Sequence, residues 1–503
     1  VFSQFTGSSV PRQCFAISQT SDPMGPYNRY EFVFPRFNDY PHIGIWQDAS
    51  SGQDGYYFVV HEFLNGAFQG AAFVAVDRNR MLAGAPAAQV SMLRFPGIDA
   101  YGALPAHLEG TTKAQAGACA PFVHFDSSTS EYLFWDLCAD WTTPANSTLS
   151  ATPTRVAASA PFSNAIGSSP QAGTSQGLDT FANNLMYRAS ARAFPAGAPT
   201  ETSIVVNHTV NAGGSELGVR WVHFDLRAPA VVGGDAVFAD GFESQFAAAP
   251  VLLTKSLVED GVYSPDADNR WMGGINIDRN GYLGVGYSVS STTLNPQIRY
   301  TGRNFDTPPG MLLDEASCTA GVANGSQTST SGRWGDYASM STDPDDECTF
   351  WFTSEYLATT SNAGWTTRIC SFRFPECGQP DFRLVPESVT RFEICAATAS
   401  DPVVDFRAGV VSGQTGNAAL SLSGLPGVTA SFSANPLALP SSGSVTLGGA
   451  TSLGSGDYSG ELIASADAKV RSLPVTLSVS SAAPPTTTPV APGNHAAGQL
   501  LRP

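Results

Sequence analysis

Arg333, Asp336 and Tyr337 place a cation, a carboxylate and a phenol in one short segment, Arg333-Trp334-Gly335-Asp336-Tyr337. The segment precedes the apolar run CTFWFTSEYL, which is typical of a buried strand. Polar groups that converge beside aromatic walls are what a small-molecule site requires. We therefore predict a sugar-binding or catalytic set here. The alternative is an ion pair that fixes a loop, with Trp334 packed beneath it.

A second candidate is an anion site formed by Arg270, Arg299 and Arg303. The planar guanidinium group is suited to carboxylate and phosphate ligands because it donates two parallel hydrogen bonds. The alternative is that these arginines form ion pairs with the surplus acidic residues of the chain.

Acidic residues in two segments predict a possible calcium site. Asp266 and Asp268 stand beside Asn269, and Asp343 and Asp345 lie in the run DPDDE. Extracellular calcium prefers such oxygen ligands. Neither segment matches the EF-hand loop, and Asp and Pro also favour turns without any metal.

Asp39, His42 and Asp48 surround an aromatic strand, where His42 could act as an acid or base near neutral pH. The sequence HExxH is absent from the chain, which disfavours catalytic zinc. We therefore favour turn and capping roles for these three residues.

The elements that must position these groups are short strands. Apolar runs of four to eight residues rich in aromatic and β-branched side chains alternate with Gly, Pro, Asn and Asp, which indicates an all-β protein. In the segment from Ile275 to Tyr287, Asn280-Gly281 predicts a hairpin turn. The runs used for this prediction are GYYFVVHEF, GAAFVAVD, EYLFWDLCADW, ETSIVVNHTV, GVRWVHFDL, CTFWFTSEYL and WTTRICSFRF.

Composition narrows the class of partner. The chain has 503 residues, of which 43 are acidic and 26 basic, and its net charge is −17. This charge disfavours nucleic acid and anionic membrane surfaces as partners. The sequence also contains no apolar stretch long enough for a membrane span.

The eight cysteines show no zinc-finger or haem spacing, which favours disulfides and an oxidising, extracellular compartment. Eight cysteines allow 105 pairings. Short separations favour Cys119 with Cys138, Cys318 with Cys348, and Cys370 with Cys377.

Several segments together resemble a group of bacterial secreted β-propeller proteins related to sialidase-like or BNR-repeat proteins. The resemblance covers nearly all of residues 1–377, and the segments that carry it read NDYPHIGIW, AVDR with MLAG, NLMYR, VVNH, RWMG, IRYTGR and RWGDY. The resemblance implies a propeller, whose first blades would lie upstream of residue 1 or belong to a second chain. Phe372-Arg373-Phe374-Pro375 resembles a sialidase motif, but it lies at the end of the propeller region without an Asp-box series. This departure weakens the enzyme interpretation.

The pattern of apolar and polar residues changes after Cys377. We predict a β-propeller over 1–377, an immunoglobulin-like β-sandwich over 378–480, and a Pro/Thr-rich linker with the start of a possible further module over 481–503. Both ends are expected to be cut from a longer precursor. The leading hypothesis is a secreted binding protein for a glycan or a cell-surface protein, with no certain cofactor. The alternatives are a glycan-active hydrolase and a structural subunit of a surface assembly.

Overall fold

The structure is a computed structural model that describes residues 1–6, 10–164, 167–194, 201–228, 249–395, 400–410 and 413–480. It is all-β, as predicted from the short apolar runs. The described helices are α1 (Arg78–Leu82) and three 3-10 turns, and none is long and apolar enough to cross a membrane. The predicted linker over 481–503 lies outside the described residues.

The chain divides into two compact units, described separately here. The first comprises Val1–Arg383 and Gly409–Thr415, and the second comprises Leu384–Ala408 and the residues from Gly416 onward. The sequence placed this boundary after residue 377.

The first unit contains strands β1 to β25. They are β1 (Phe2–Thr6), β2 (Arg12–Ser18), β3 (Tyr27–Val33), β4 (Phe37–Trp46), β5 (Gly55–Leu64), β6 (Ala67–Asp77), β7 (Met92–Ile98), β8 (Leu104–Glu109), β9 (Ala120–Asp126), β10 (Glu131–Cys138), β11 (Thr148–Leu149), β12 (Thr154–Ala157), β13 (Ser168–Ser169), β14 (Leu178–Asp179), β15 (Ala189–Phe194), β16 (Glu201–Gly213), β17 (Glu216–Arg227), β18 (Thr254–Tyr263), β19 (Asn269–Ile277), β20 (Leu283–Ser291), β21 (Leu294–Arg303), β22 (Ala316–Ser317), β23 (Ser339–Thr342), β24 (Phe350–Tyr356) and β25 (Thr366–Phe372).

Most of these strands pair with their neighbours along the chain in antiparallel sheets. The orders β1-β2-β3, β4-β5-β6-β7, β19-β20-β21-β22 and β23-β24-β25 are simple meanders. A larger sheet has the order β11-β10-β9-β8-β15-β16-β17-β18, in which β8 and β15 pair in parallel and β12 pairs with β10. The predicted hairpin is confirmed as β19 and β20, with Gly281 at φ +91°.

The first strands of successive meanders lie next to one another. β4 contacts β8, β8 contacts β15, β15 contacts β19, and β19 contacts β23. The Tyr40 hydroxyl at the start of β4 also donates to the carbonyl oxygen of Asp336, just before β23, at 3.4 Å. The contacts therefore run in series from β4 to β23, and Tyr40 links the first of these strands to the segment before the last.

Large aromatic side chains fill the spaces between the sheets. Phe73 and Phe122 stack with ring centroids 4.4 Å apart, and Phe15 of β2 lies 5.3 Å from Phe58 of β5. Burial of such side chains removes much apolar area from water, which is the main stabilising contribution to a β core.

The second unit contains two sheets, β26-β28-β32-β30 and β27-β34-β33-β29-β31. Along β33 and β34 buried residues alternate with more exposed ones, as expected of strands with one face in a core. The strands are β26 (Phe382–Pro386), β27 (Arg391–Cys395), β28 (Val403–Val410), β29 (Asn417–Ser423), β30 (Thr429–Phe432), β31 (Leu437–Ala438), β32 (Ser441–Gly448), β33 (Gly456–Ala466) and β34 (Lys469–Ser480).

Three disulfides join cysteines of the described residues. The pair Cys119–Cys138 is confirmed. The other two predicted pairs are wrong, because the structure joins Cys318 to Cys370 and Cys348 to Cys377. Separation along the chain misled the prediction, because the pairing of β24 with β25 sets Phe350 opposite Phe372 and brings Cys348 toward Cys377.

Candidate functional site

The segment from Arg333 to Tyr337 is anchored by one buried side chain and exposes two others to solvent. Trp334 is buried, and its indole nitrogen donates to the Ser288 hydroxyl at 3.0 Å. The Tyr337 residue is 59% exposed, and the Arg333 side chain is also largely exposed and forms an ion pair with Asp336. Both predicted alternatives therefore describe part of this segment: it is a fixed corner, and it also presents a cation and a phenol to solvent.

These residues line a cleft of about 360 Å³ on the first unit. Its wall also includes Trp365, which precedes β25 and is 53% exposed, and Glu355 of β24. We call this feature the cleft. Its lining is Gln327, Ser329, Ser331, Arg333, Trp334, Gly335, Asp336, Tyr337, Ala338, Thr353, Ser354, Glu355, Ala363, Trp365 and Thr367.

Glu355 is a partly buried acid of the cleft. Its carboxylate accepts a hydrogen bond from the Gly335 amide at 3.2 Å. Burial raises its pKa, and this hydrogen bond only partly opposes the shift. Such a carboxyl holds a proton at a higher pH than an exposed glutamate does.

Two polar atoms of the cleft residues have no hydrogen-bond partner among the described residues. They are the hydroxyl oxygen of Ser354 and one carboxylate oxygen of Asp336. The second oxygen of Asp336 is engaged by Arg333. Buried polar atoms without partners are costly in a folded protein, so both atoms are unsatisfied positions within the wall of the cleft.

A cluster of rings adjoins the cleft through Tyr337. We call it the aromatic cluster, and its members are Tyr40, His42, His61, Tyr101, Phe181, Tyr187 and Tyr337.

Tyr40 lies at the middle of the aromatic cluster. Its ring centroid is 4.2 Å from that of His42, 5.5 Å from Phe181 and 5.7 Å from Tyr337. The register of β4 and β5 shifts between Asp39 and His42, and Tyr40 has φ +54°. A bulge of this kind redirects a side chain at a sheet edge, and here it places the phenol at the centre.

The histidines of the aromatic cluster are neutral at physiological pH. Burial, with a smaller effect of the His61 charge, lowers the pKa of His42 to about 3. Burial lowers the pKa of His61 to about 4, and its Nε2 accepts from the Gly102 amide at 3.0 Å. His42 is therefore not poised to exchange protons near pH 7, in contrast to the catalytic role considered from the sequence.

Asp39 lies near the exposed phenols of the aromatic cluster, since its charge adds to the effect of burial in raising the pKa of Tyr101 and Tyr337. Asp48, in contrast, is a turn acceptor: its carboxylate receives the amides of Gln53 and Gly117, both at 2.7 Å.

The three arginines predicted to bind an anion are occupied by acids of the protein. Arg270 is fully buried and pairs with Asp266 at 2.7 Å and with Glu315 at 2.8 Å. Arg299 shares Glu315, whereas Arg303 pairs with Glu259. This arrangement corresponds to the ion-pair alternative.

The acidic residues considered as calcium ligands serve as local acceptors. Asp266 binds Arg270 and receives the amide of Asp268 at 2.9 Å. Asp343 receives the Trp351 indole at 3.0 Å and the Asp345 amide at 2.9 Å. Within the described residues, no group of three or more His, Cys, Asp or Glu side chains could hold a metal ion.

Sequence reasoning missed Tyr40, Tyr101, Glu355 and Trp365. Trp365 follows Asn362-Ala363-Gly364 in a loop, and a tryptophan in a small-residue loop is a usable signal for an exposed ring. Tyr40 and Tyr101 give no such signal, because only the meeting of separate sheets brings them together.

Comparisons with known proteins identify no family. No family model and no curated protein matches the chain. Among solved structures, a bifunctional GH43-CE protein of Bacteroides eggerthii is 9% identical with a TM-score of 0.23, and the match covers 94% of this chain and 57% of that one. The S-layer protein SbsC is 10% identical with a TM-score of 0.16, covering 88% and 55%. Likeness at this level supports no argument, and the chain spans little more than half of either protein.

Proposed function

We propose that this chain is an extracellular glycan-binding protein that holds its ligand in the cleft beside Tyr337. The observation that carries the proposal is the pairing of two exposed rings, Tyr337 and Trp365, with the polar groups of Arg333, Asp336 and Glu355 in one cleft. A sugar presents apolar C–H faces and a rim of hydroxyls, so it matches rings flanked by donors and acceptors.

The proposed fold of the first unit is a β-propeller of the sialidase-like type. Successive meanders whose first strands contact one another support this proposal. In a propeller these strands surround the axis, which would put the aromatic cluster at one mouth of it. We propose further that the second unit is an immunoglobulin-like spacer, supported by its two sheets.

The proposed extracellular location is supported by the three disulfides, which are typical of oxidising compartments. The net charge of −17 also disfavours polyanionic ligands.

The test is a glycan-array screen followed by calorimetry with the best ligand. We expect Tyr337→Ala and Arg333→Ala to weaken binding by about tenfold or more, roughly the loss of one good contact. Trp351→Ala is the matched control, since Trp351 is also exposed on β24 but does not line the cleft. If the native protein bound no glycan on the array, or if all variants bound with equal affinity, the proposal would be refuted.

A second candidate function is glycoside hydrolysis, which the raised pKa of the Glu355 carboxyl group favours. Glycosidases use two carboxyl groups, one of which is kept protonated as the acid. Glu355 has a raised pKa, whereas Asp336 lies against the Arg333 cation. Release of reducing ends that is lost in folded Glu355→Gln would establish this function, and binding without any product would exclude it for the glycans tested.

A further inference from the structure

We propose that the ligand is a linear, uncharged oligosaccharide that lies along a track of four exposed aromatic side chains, Phe68, Tyr101, Tyr337 and Trp365. This inference rests on the proposed glycan-binding function and specifies its ligand. A site for a single terminal sugar would need only the cleft.

The track begins outside the cleft. Phe68 and Tyr101 pack with ring centroids 5.2 Å apart, and Tyr101 stacks on His61 at 4.0 Å. Phe68 is 37% exposed and Tyr101 is 40% exposed. His61 is buried and thus supports the partly exposed ring of Tyr101 from beneath.

Tyr337 connects the two ends of the track. Its ring lies 5.7 Å from Tyr40 and 5.9 Å from His42 within the aromatic cluster, and it also lines the cleft with Trp365. Tyr40 in turn lies 5.6 Å from His61, the ring beneath Tyr101. A chain of ring contacts therefore leads from Phe68 to Tyr337, and the cleft continues it to Trp365.

The charges along the track favour an uncharged ligand. Arg333 is the cation of the cleft lining, and Asp336 neutralises it. Asp39 precedes Tyr40 in β4, and the Tyr40 ring lies 5.7 Å from that of Tyr337. A ligand carboxylate or sulfate would meet Asp39 and Asp336 without a free cation in the cleft lining to offset them, whereas ligand hydroxyl groups can donate to carboxylate oxygens.

The experiment measures affinity against chain length. Gluco-, galacto-, manno- and xylo-oligosaccharides of one to six units are titrated into the full chain by calorimetry. We expect the affinity of the best series to rise by at least about tenfold from the monosaccharide to the tetrasaccharide, the equivalent of one further ring contact.

Variants at the two ends locate the ligand. Tyr101→Ala and Trp365→Ala should each weaken tetrasaccharide binding by about tenfold and leave monosaccharide binding less affected, and Trp365→Phe should restore most of the loss. Trp351→Ala is the control and should change neither affinity.

The possible failures are distinguishable. If no sugar of any length binds, both the proposed function and this inference are overturned. If the monosaccharide and the tetrasaccharide bind equally, or a sialylated or sulfated glycan binds better than every neutral one, this inference alone is overturned and glycan binding stands.

Discussion

At the scale of single residues, the aromatic cluster combines neutral histidines with phenols. His42 is 3% exposed, and its Nε2 has no hydrogen-bond partner among the described residues. Its packing against Tyr40 and Tyr187 requires the uncharged ring, because a buried imidazolium without a partner is costly. The residue that suggested acid–base chemistry in the sequence is therefore a packing residue that supports the aromatic cluster.

This burial has a consequence for stability at low pH. The pKa of His42 is about 3 in the folded protein against an ordinary value of 6.5, so the unfolded chain binds a proton first. The contribution of His42 is present above pH 6.5 and is lost as the pH falls below it, at about 1.4 kcal/mol per pH unit. We expect His42→Phe to lose less stability than the native protein between pH 6.5 and 4.5.

The measurement is urea unfolding across that pH range. Phe181→Leu serves as the control, because it removes a ring of the same cluster without an ionisable group. The difference between native protein and His42→Phe should grow as the pH falls, while the control curve should run parallel to the native one. Parallel curves for both variants would show that His42 is not buried in its neutral form.

A second prediction at this scale concerns the carboxyl group of Glu355. Burial raises its pKa, and the ionised form is therefore disfavoured in the folded state. The cost of ionising it grows as pH rises through its folded pKa, so Glu355→Gln should gain stability relative to the native protein from pH 4 to pH 7. Thermal unfolding of both proteins at several pH values measures this, and a constant difference in melting temperature would contradict it.

At the scale of elements, the sequence predicted strands well where aromatic and β-branched residues form uninterrupted runs. Gly55–Leu64 and Phe350–Tyr356 are strands at those runs, and the turn at Asn280-Gly281 joins two strands as expected. These features are local: side-chain shape and turn chemistry suffice to specify them.

Pairings between distant elements could not be predicted in this way. Cys318 follows β22 and Cys370 lies in β25, and only the packing of two different sheets brings them together. The same holds for Tyr40 and Tyr337, which are far apart in the sequence and adjacent in space. Arg333, Asp336 and Tyr337 could be found because they share one segment, whereas Tyr101 and Trp365 reach the site from other loops.

The disulfides give a direct prediction at this scale. Peptide mapping without reduction should recover Cys119–Cys138, Cys318–Cys370 and Cys348–Cys377. Removal of the Cys318–Cys370 bond, which spans 52 residues, should cost about 4 kcal/mol from the freedom gained by the unfolded chain.

Cys14→Ser is the control for this loss, since Cys14 is not in a disulfide with any described residue. It should change stability little in denaturant unfolding. Recovery of a Cys318–Cys348 peptide would instead restore the pairing predicted from sequence separation and would contradict the arrangement of β24 and β25.

At the scale of the whole first unit, Glu109 links strands β8, β19 and β23, which belong to three different sheets. Its carboxylate, at the end of β8, binds Arg188, receives the Asn276 amide of β19 at 3.0 Å, and receives the backbone amide and hydroxyl of Thr342 in β23 at 3.1 and 2.6 Å. Burial opposes its ionisation, but His107, Arg188 and Thr342 together lower its pKa.

Loss of this carboxylate should destabilise the unit as a whole. Glu109→Ala leaves the largely buried Arg188 without its carboxylate partner, so we expect a loss of about 3 kcal/mol in the free energy of unfolding. Glu131→Ala removes a surface pair with Arg155 and is the control, for which a much smaller change is expected. Similar small losses in both variants would show that Glu109 does not hold the sheets together.

The central claim, that the cleft beside Tyr337 receives a sugar, is tested most directly by a crystal structure of the full chain with its best array ligand. We predict a sugar ring against Tyr337, with its hydroxyls bonded to Asp336 and Glu355 and the chain extending toward Trp365. A glycan bound anywhere else on the molecule, with the cleft occupied only by solvent, would contradict the account.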